Sequence, residues 1–278
     1  MTSLKITVLV ENTVGQRGLI AEHGLSFLIE SGRNKFLFDT GQGLALRHNT
    51  DKLNVDLKTI GAIVLSHGHY DHTGGLTYAL NRMDCPRVYI HPEAFELKYA
   101  RNPDGSGREV GMTAGNKITV GELAEVVRVE EATEIAEGLF LTGPIPRTTD
   151  FEDTGDPFFK DVHCTIPDDL PDDQALFTET ENGTAVILGC AHSGVINTLR
   201  HIQTLTGNRP IHTVIGGMHL LHARPERMDQ TIAELRRFKV QRLIPCHCTG
   251  FAATVRLWNE FPGKCETCPA GTVIQSGD

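Results

Sequence analysis

The sequence predicts a single α/β domain, and three observations predict it. The first half reads as short β-strands joined by turns. The second half alternates strand and helix, the pattern of a layered sheet-and-helix fold. No sharp composition boundary, tandem repeat or low-complexity linker divides the 278 residues. The domain is therefore drawn from 1 to 278, with irregular, lid-like segments near 101–117 and 143–173.

Leu4–Val10 alternates apolar and polar residues as a strand does, and Leu25–Glu30 and Lys35–Asp39 are two more strands around the turn Ser31-Gly32-Arg33-Asn34. The third ends in the glycine-rich break Asp39-Thr40-Gly41-Gln42-Gly43. Leu44–Asp51 reads as a helix, the apolar run Ala62–Leu65 as a strand, Thr73–Met83 as a helix and Arg87–Ile90 as a strand. The stretch from Arg101 to Lys117 carries Asn-Pro-Asp-Gly-Ser-Gly and two further glycines, which predicts a loop that serves as a flap. The stretch from Gly143 to Asp173 is rich in Pro, Asp and Thr and reads as a lid or a contact in a homo-oligomer. Its acidic run Asp168–Asp173 reads as a solvated face. Downstream, strands are predicted at Thr184–Gly189, Ile211–Ile215, Val240–Ile244 and Gly271–Ile274. Helices are predicted at Gly194–Thr206, Pro225–Phe238 and Phe251–Glu260.

The formal net charge of −9 argues against nonspecific binding to nucleic acid or anionic membranes, whose phosphates require a basic footprint. It is compatible with a small anionic substrate, because bound cations reverse the local field. The N-terminus is strand-like rather than an export signal, and no apolar run approaches the ~20 residues that span a bilayer. The seven cysteines form no small-scaffold spacing, so a cytoplasmic protein with reduced thiols is expected.

The strongest chemical signal is His67-Gly68-His69-Tyr70-Asp71-His72, which follows the apolar strand directly. Imidazoles suit zinc or iron, and a neighbouring carboxylate holds a second ion or bridges two. Three later strands also exit at a histidine: His192 after Cys190-Ala191, His219 after Gly216-Gly217-Met218, and His247 within Cys246-His247-Cys248. Ligands of α/β sheets gather outside the carboxyl ends of strands, so these side chains are placed to converge. The spacing favours ligation for His192 and His247. For His219 it leaves open a hydrogen bond to substrate or a place in a packed loop, and His91, followed by Pro92-Glu93, reads as a structural helix start.

The phrase His67-x-His69-x-Asp71-His72, with Phe38-Asp39-Thr40-Gly41 before it, resembles the metallo-β-lactamase superfamily over nearly the whole chain. Val10-Glu11-Asn12, Glu22-His23-Gly24-Leu25-Ser26, Gly189-Cys190-Ala191-His192-Ser193-Gly194, Leu141–Arg147 and Cys246–Gly250 are similar to a subgroup of metal-dependent hydrolases. That subgroup is related to the archaeal synthase that joins a dihydropterin to ribofuranosylaminobenzene 5'-phosphate. The resemblance implies an αββα sandwich of two mixed β-sheets flanked by helices, with a dinuclear centre at one edge. Carried over by position, His67, His69 and His192 hold one divalent ion and Asp71, His72 and His247 the other, while Asp39 braces the histidine loop. Zinc is the expected metal, with manganese and iron as alternatives. Cys190 departs from the pattern, since many superfamily hydrolases place a bridging Asp there; ligation as a thiolate is one reading, and a buried inert thiol is the commoner role for such a cysteine.

The expected chemistry is hydrolysis of a small phosphorylated, ester or lactone substrate by a metal-activated hydroxide, since an ion lowers the pKa of water from ~15.7 toward ~7. Asp71 both ligates and orients the nucleophile, His219, His23 or Glu22 assists proton transfer, and Arg147 and His23 are the candidate substrate contacts. For Arg147 a surface salt bridge accounts for the residue equally well. The alternative implied by the subgroup is a metal-assisted synthase acting on a pterin. A redox role through a thiolate site of Cys246, Cys248, Cys265 and Cys268 is a third class, and an RNA nuclease is the weakest.

Overall fold

Long strands in this chain are apolar on both faces. In the segment Ser26–Ser31, Phe27 and Ile29 join one buried cluster and Leu28 another. Strands of that kind belong in the middle of a sandwich, where each face meets a separate layer. The structure, a computed structural model describing residues 4–275, shows those layers.

The strands are β1 Leu4–Val10, β2 Ser26–Ser31, β3 Asn34–Phe38, β4 Ala62–Val64, β5 Arg87–Ile90, β6 Tyr99–Arg101, β7 Gly107–Glu109 and β8 Glu125–Arg128. They continue as β9 Thr133–Ala136, β10 Leu139–Leu141, β11 Phe158–Phe159, β12 Leu176–Thr180, β13 Gly183–Leu188, β14 Ile211–Gly217, β15 Arg242–Cys246 and β16 Val273–Gln275. The helices are α1 Leu44–Lys52, α2 Tyr70–Thr73, α3 Leu76–Leu80, α4 Ala114–Leu123, α5 Val195–Leu205, α6 Pro225–Phe238 and α7 Phe251–Glu260. One sheet runs β16-β1-β2-β3-β4-β5-β8 and the second β15-β14-β13-β12-β10-β9, with a small sheet β11-β6-β7 beside them. Both large sheets are mixed: β3-β4-β5-β8 and β13-β14-β15 pair in parallel, the remainder antiparallel.

Phe27, Phe38 and Val64 from the first sheet meet Leu176, Ile187 and Ile215 from the second, which forms the central core. The outer face of the first sheet packs Leu37 and Ile63 against Leu46, Leu76 and Val120 of α1, α3 and α4. The outer face of the second packs Val186 and Val214 against Leu199, Ile232 and Leu257 of α5, α6 and α7. This is the αββα sandwich that the resemblance implied. Each buried side chain of this size contributes about 1.5–3 kcal/mol, so the sandwich rests on many modest terms. No helix among the described residues is long and apolar enough to cross a membrane.

Several expectations need correction. The helix expected over Thr73–Met83 is two short helices broken at Gly74-Gly75, and the first starts at Tyr70, so Asp71 and His72 lie inside it. The break is steric: a Cβ on Gly74 would sit 2.5 Å from the Gln42 carbonyl oxygen, and one on Gly75 2.3 Å from that of Thr40. The segment 101–117 is no open loop. It completes the hairpin β6–β7 and then enters α4, capped by the Thr113 hydroxyl, which accepts from Asn116 N. The acidic run is not solvated either, since Asp168, Asp172 and Asp173 are buried while Asp169 is exposed. Lys98, itself 1 % exposed, places its ammonium 2.8 Å from Asp172 and 3.4 Å from Asp168. The strand expected at Val240–Ile244 begins two residues later, because Lys239 (φ 57) closes α6 and Val240 turns inward.

Candidate metal centre

The carboxyl ends of the parallel strands of both sheets open on one edge. Asp39 follows β3, His67 and His69 follow β4, Cys190 and His192 follow β13, and His247 follows β15. Strand exits are where side chains leave the pleat and point along the sheet edge, so sequence-distant residues meet there.

His67, His69 and His192 form a first buried triad whose ligand atoms lie within 4.8 Å of one another. His67 Nε2 and His69 Nδ1 are 3.0 Å apart. Two imidazole nitrogens on one zinc at ~2.0–2.1 Å stand about 2.9–3.6 Å apart, so this spacing fits a shared ion. Two of the far nitrogens are tethered: Ser66 Oγ lies 2.9 Å from His67 Nδ1, and His192 Nδ1 donates to the Thr154 carbonyl at 2.9 Å, whereas His69 Nε2 is buried without a partner. His192 Nε2 is then left buried with no partner, as an atom awaiting a ligand would be. Burial, reinforced by neighbouring imidazoles, holds His67 and His192 well below the usual histidine range, and burial takes His69 down to about 3. Neutral rings are the form that binds metal.

Asp71, His72 and His247 form a second triad, with His72 Nε2 to His247 Nε2 at 3.2 Å and Asp71 Oδ2 at 3.4 Å from His247 and 3.8 Å from His72. His23 Nε2 also reaches Asp71 Oδ2, at 3.3 Å. Asp39, fully buried, accepts from His72 Nδ1 at 2.7 Å and from the Ser66 amide and hydroxyl, which turns His72 Nε2 toward the triad. Burial disfavours a charged His72, yet the Asp39 and Asp71 carboxylates outweigh it and push its pKa up to about 9. Burial also opposes the Asp71 carboxylate, but His72, His23 and His247 outweigh it and hold its pKa well below the usual range. The two carboxylates thus favour positive charge at His72, and the donor set of neutral imidazoles and a carboxylate fits a divalent cation.

Several residues behind the triads were missed or misread in sequence. Asn12 Oδ1 accepts from His247 Nδ1 at 3.0 Å and from Gly24 N at 3.2 Å, while Glu11 accepts from the His247 amide at 2.8 Å. The signal was present, two polar residues at the exit of a buried strand, but it gave no partner. Asp172 accepts from Gly68 N, between His67 and His69, at 2.7 Å. Asp173 accepts from Ser193 N, next to His192, at 2.8 Å, and burial pushes its carboxyl up to about 6. Gln174 bonds the Leu65 carbonyl through its side chain and that of Ser66 through its amide. The acidic run therefore clamps both ligand loops of the first triad.

His69, Asp71, His192 and His247 of the triads line the floor of an open cavity of about 930 Å³. His219 lines it with its ring centroid 4.4 Å from that of His192, and burial lowers its pKa to about 3. Phe158 of β11 covers His69 at 4.6 Å, so the segments read as lids contribute the roof. Arg147 is not brought to the cavity, because its guanidinium donates to the carbonyls of Asp169 (2.6 Å) and His192 (2.9 Å). Arg101 and Arg108 of the β6–β7 hairpin line the wall instead. Glu22 is also elsewhere, accepting from the amides of Gln42, Gly43 and Ala45 at the start of α1. His91 begins a helical turn, its ring accepting from Glu93 N. The four-thiolate site is not assembled among the described residues: Cys246 and Cys268 face the central core while Cys265 packs on the outer layer.

Residues 19–247 match the family model of the metallo-beta-lactamase superfamily. The chain is 30% identical over 291 residues to the 7,8-dihydropterin-6-methyl-4-(beta-D-ribofuranosyl)-aminobenzene-5'-phosphate synthase of Methanocaldococcus jannaschii, covering 98% of this chain and 97% of that one. It is 34% identical over 256 residues to the protein MJ0448 of the same organism, covering 91% and 93%. The crystal structure of Tm1679, described as a metal-dependent hydrolase of the beta-lactamase superfamily, superposes with a TM-score of 0.83 at 32% identity, covering 99% of this chain and 100% of that one.

Proposed function

The chain belongs to the metallo-β-lactamase superfamily, and from that premise we propose that it is a metal-dependent hydrolase of a small anionic phosphoester, ester or lactone. The observation that carries this reading is the pair of converging ligand triads at the floor of a cavity with arginines on its wall. His67, His69 and His192 would hold one divalent ion and Asp71, His72 and His247 a second, zinc being the first choice for this nitrogen-rich set. When bound, the ions supply Lewis acidity and lower the pKa of water at the site.

The chain's own residues supply the rest. Arg108 is exposed on the cavity wall with no side-chain partner among the described residues, and it binds the substrate anion. Arg101, anchored on the Cys164 carbonyl and over the Phe159 ring, flanks it. Asp71, between His23 and His247, orients the attacking water, and His23 beside it is placed to take the proton. His219, held neutral by burial, donates a hydrogen bond to the substrate oxygen that gains charge. Phe158 excludes bulk water above His69 and His192.

A second reading, a synthase joining a pterin to an aromatic amine riboside phosphate, is favoured by the near-complete overlap with the archaeal synthase. A cavity of about 930 Å³ is at the upper end of small-molecule sites and admits such a substrate. Metal analysis combined with phosphoester, lactone and thioester turnover tests the first reading. Binding of a reduced pterin without turnover of any of those esters would replace it with the second. His67→Ala, His192→Ala and His247→Ala should each lower bound metal and abolish turnover, and full metal in all three would sink the site.

A further inference from the structure

We propose that Phe251 is a specificity-determining residue whose ring stacks on a planar, uncharged ring of the substrate, so that the preferred substrates are anions carrying an aryl or heteroaryl group. The inference rests on the anion-binding cavity proposed above and names the part of the substrate that the arginines do not hold. Phe251 lines that cavity and is 84 % exposed, and beside it Leu221 lines the cavity at 53 %. Single apolar side chains on a surface are ordinary, but two adjacent ones on the wall of a ligand cavity form an apolar contact patch. Helix α7 does not need Phe251 for its packing, since Ala253 and Leu257 carry its buried side. The ring is left free for a ligand.

The backbone sets this patch apart from the arginines. The hairpin β6–β7 that carries Arg101 and Arg108 is tied to the first histidine loop, Tyr70 N donating to the Val110 carbonyl at 2.9 Å. Helix α7 instead follows His247 through the short turn His247–Thr249. Gly250 closes that turn at φ 76, and a Cβ on it would sit 2.6 Å from Leu221 Cδ1 and 3.0 Å from Leu221 Cα, so a glycine lets the start of α7 close on Leu221. Phe251 and, one turn on, Thr254 then face the cavity, and Thr267 and Pro269 complete an uncharged wall with Leu221. Glu11, which also lines the cavity, is occupied by the Thr13 amide and hydroxyl and by the His247 amide. A substrate whose reacting bond lies over the triads thus meets cations on the His69 side and an uncharged wall with an aromatic face on the His247 side. A flat ring gains most there, because offset stacking on a phenyl face adds to plain apolar burial.

The test uses two phosphonates, 1-naphthylmethylphosphonate and methylphosphonate, on the metal-loaded full-length protein, since a carbon–phosphorus bond resists hydrolysis. Both carry the same anion, so contacts to metal and arginine cancel, and the ratio of their dissociation constants, read by calorimetric titration, reports the ring alone. The wild type should bind the naphthyl compound about tenfold or more tightly than methylphosphonate. Phe251→Ala should erase most of that ratio by weakening the naphthyl compound alone. Phe251→Trp should restore it, a rescue that a general loss of fold would not show. Arg108→Ala should weaken both compounds alike and keep the ratio. Equal binding of the two by the wild type, or a ratio that survives Phe251→Ala, would overturn the stacking assignment and leave the anion site standing. Binding that is unweakened in Arg108→Ala would overturn the anion-binding reading while the Phe251 assignment stands. No binding of either compound by the wild type would overturn both.

Discussion

Replacing Lys98 with methionine keeps the length of the side chain and removes the ammonium from between Asp168 and Asp172. In the native pocket that ammonium sits 2.8 and 3.4 Å from the two carboxylates, all three groups being almost fully buried. Burial opposes the charged lysine, yet Asp172 and Asp168 outweigh it and hold its pKa above the usual range. At an effective dielectric of about 20 each contact is worth roughly 5–6 kcal/mol of attraction, offset by several kcal/mol of ammonium desolvation. The variant loses both contacts and leaves two carboxylates without a cation, so a net loss of about 3–5 kcal/mol is expected. With a urea dependence of about 3 kcal/mol per molar for a chain of this size, the unfolding midpoint should fall by about 1–2 M. Adding Asp168→Asn and Asp172→Asn to Lys98→Met removes the orphaned charges while an amide oxygen still accepts from Gly68 N, and should recover more than half of the loss. A Lys98→Met cost below about 1 kcal/mol, or no recovery in the triple variant, would refute the reasoning.

Asn12→Ala removes the acceptor that orients His247, and affinity for the second ion should fall about 10–100-fold by competition with a chelating dye; an unchanged affinity would sink the role given to Asn12. Asp173 has a folded-state pKa of about 6, raised above the ~3.9 of an unfolded chain, so its contribution to stability is complete below pH ~4 and is lost as pH rises through 6. Asp173→Asn should therefore gain about 2–3 kcal/mol relative to the wild-type apo-protein between pH 4 and 7, and a difference that stays constant with pH would contradict the burial argument. Arg108→Ala should raise KM for an anionic substrate about tenfold or more with a much smaller change in kcat, because its guanidinium binds the part of the substrate that does not react; equal losses in both would place it in the transition state instead.

The layered fold was legible because the strands announce themselves by apolar content and the later helices by their periodicity. Pro225–Phe238 and Phe251–Glu260 were drawn to the residue. The strands Tyr99–Arg101, Gly107–Glu109 and Phe158–Phe159 were not, since two or three residues carry no measurable alternation and Phe158–Phe159 finds its partner Tyr99–Arg101 far along the chain. The helix expected over Thr73–Met83 failed for a related reason. Gly74 and Gly75 are conformationally permissive in any local reading, and what breaks the helix is the backbone of Thr40–Gln42 arriving from another strand.

The candidate site divides along the same line. Histidines at strand exits were readable one by one, because each follows an apolar run and the exits of parallel strands share an edge. Their orienting partners were not, since a carboxylate in a loop reads the same whether it meets water or a buried lysine. Asp168, Asp172 and Asp173 looked solvated because the run is acidic, yet Lys98, Gly68 and Ser193 supply a cation and two amides that local pattern does not reveal. The consequence is testable within the pair of clamps. Asp172 holds the loop of His67 and His69, and Asp173 holds that of His192, so the two act on one ion from opposite sides. Asp172→Ala and Asp173→Ala should each weaken the first ion more than the second. Their combined effect should fall short of the sum, because loss of either loop already opens that ion's coordination.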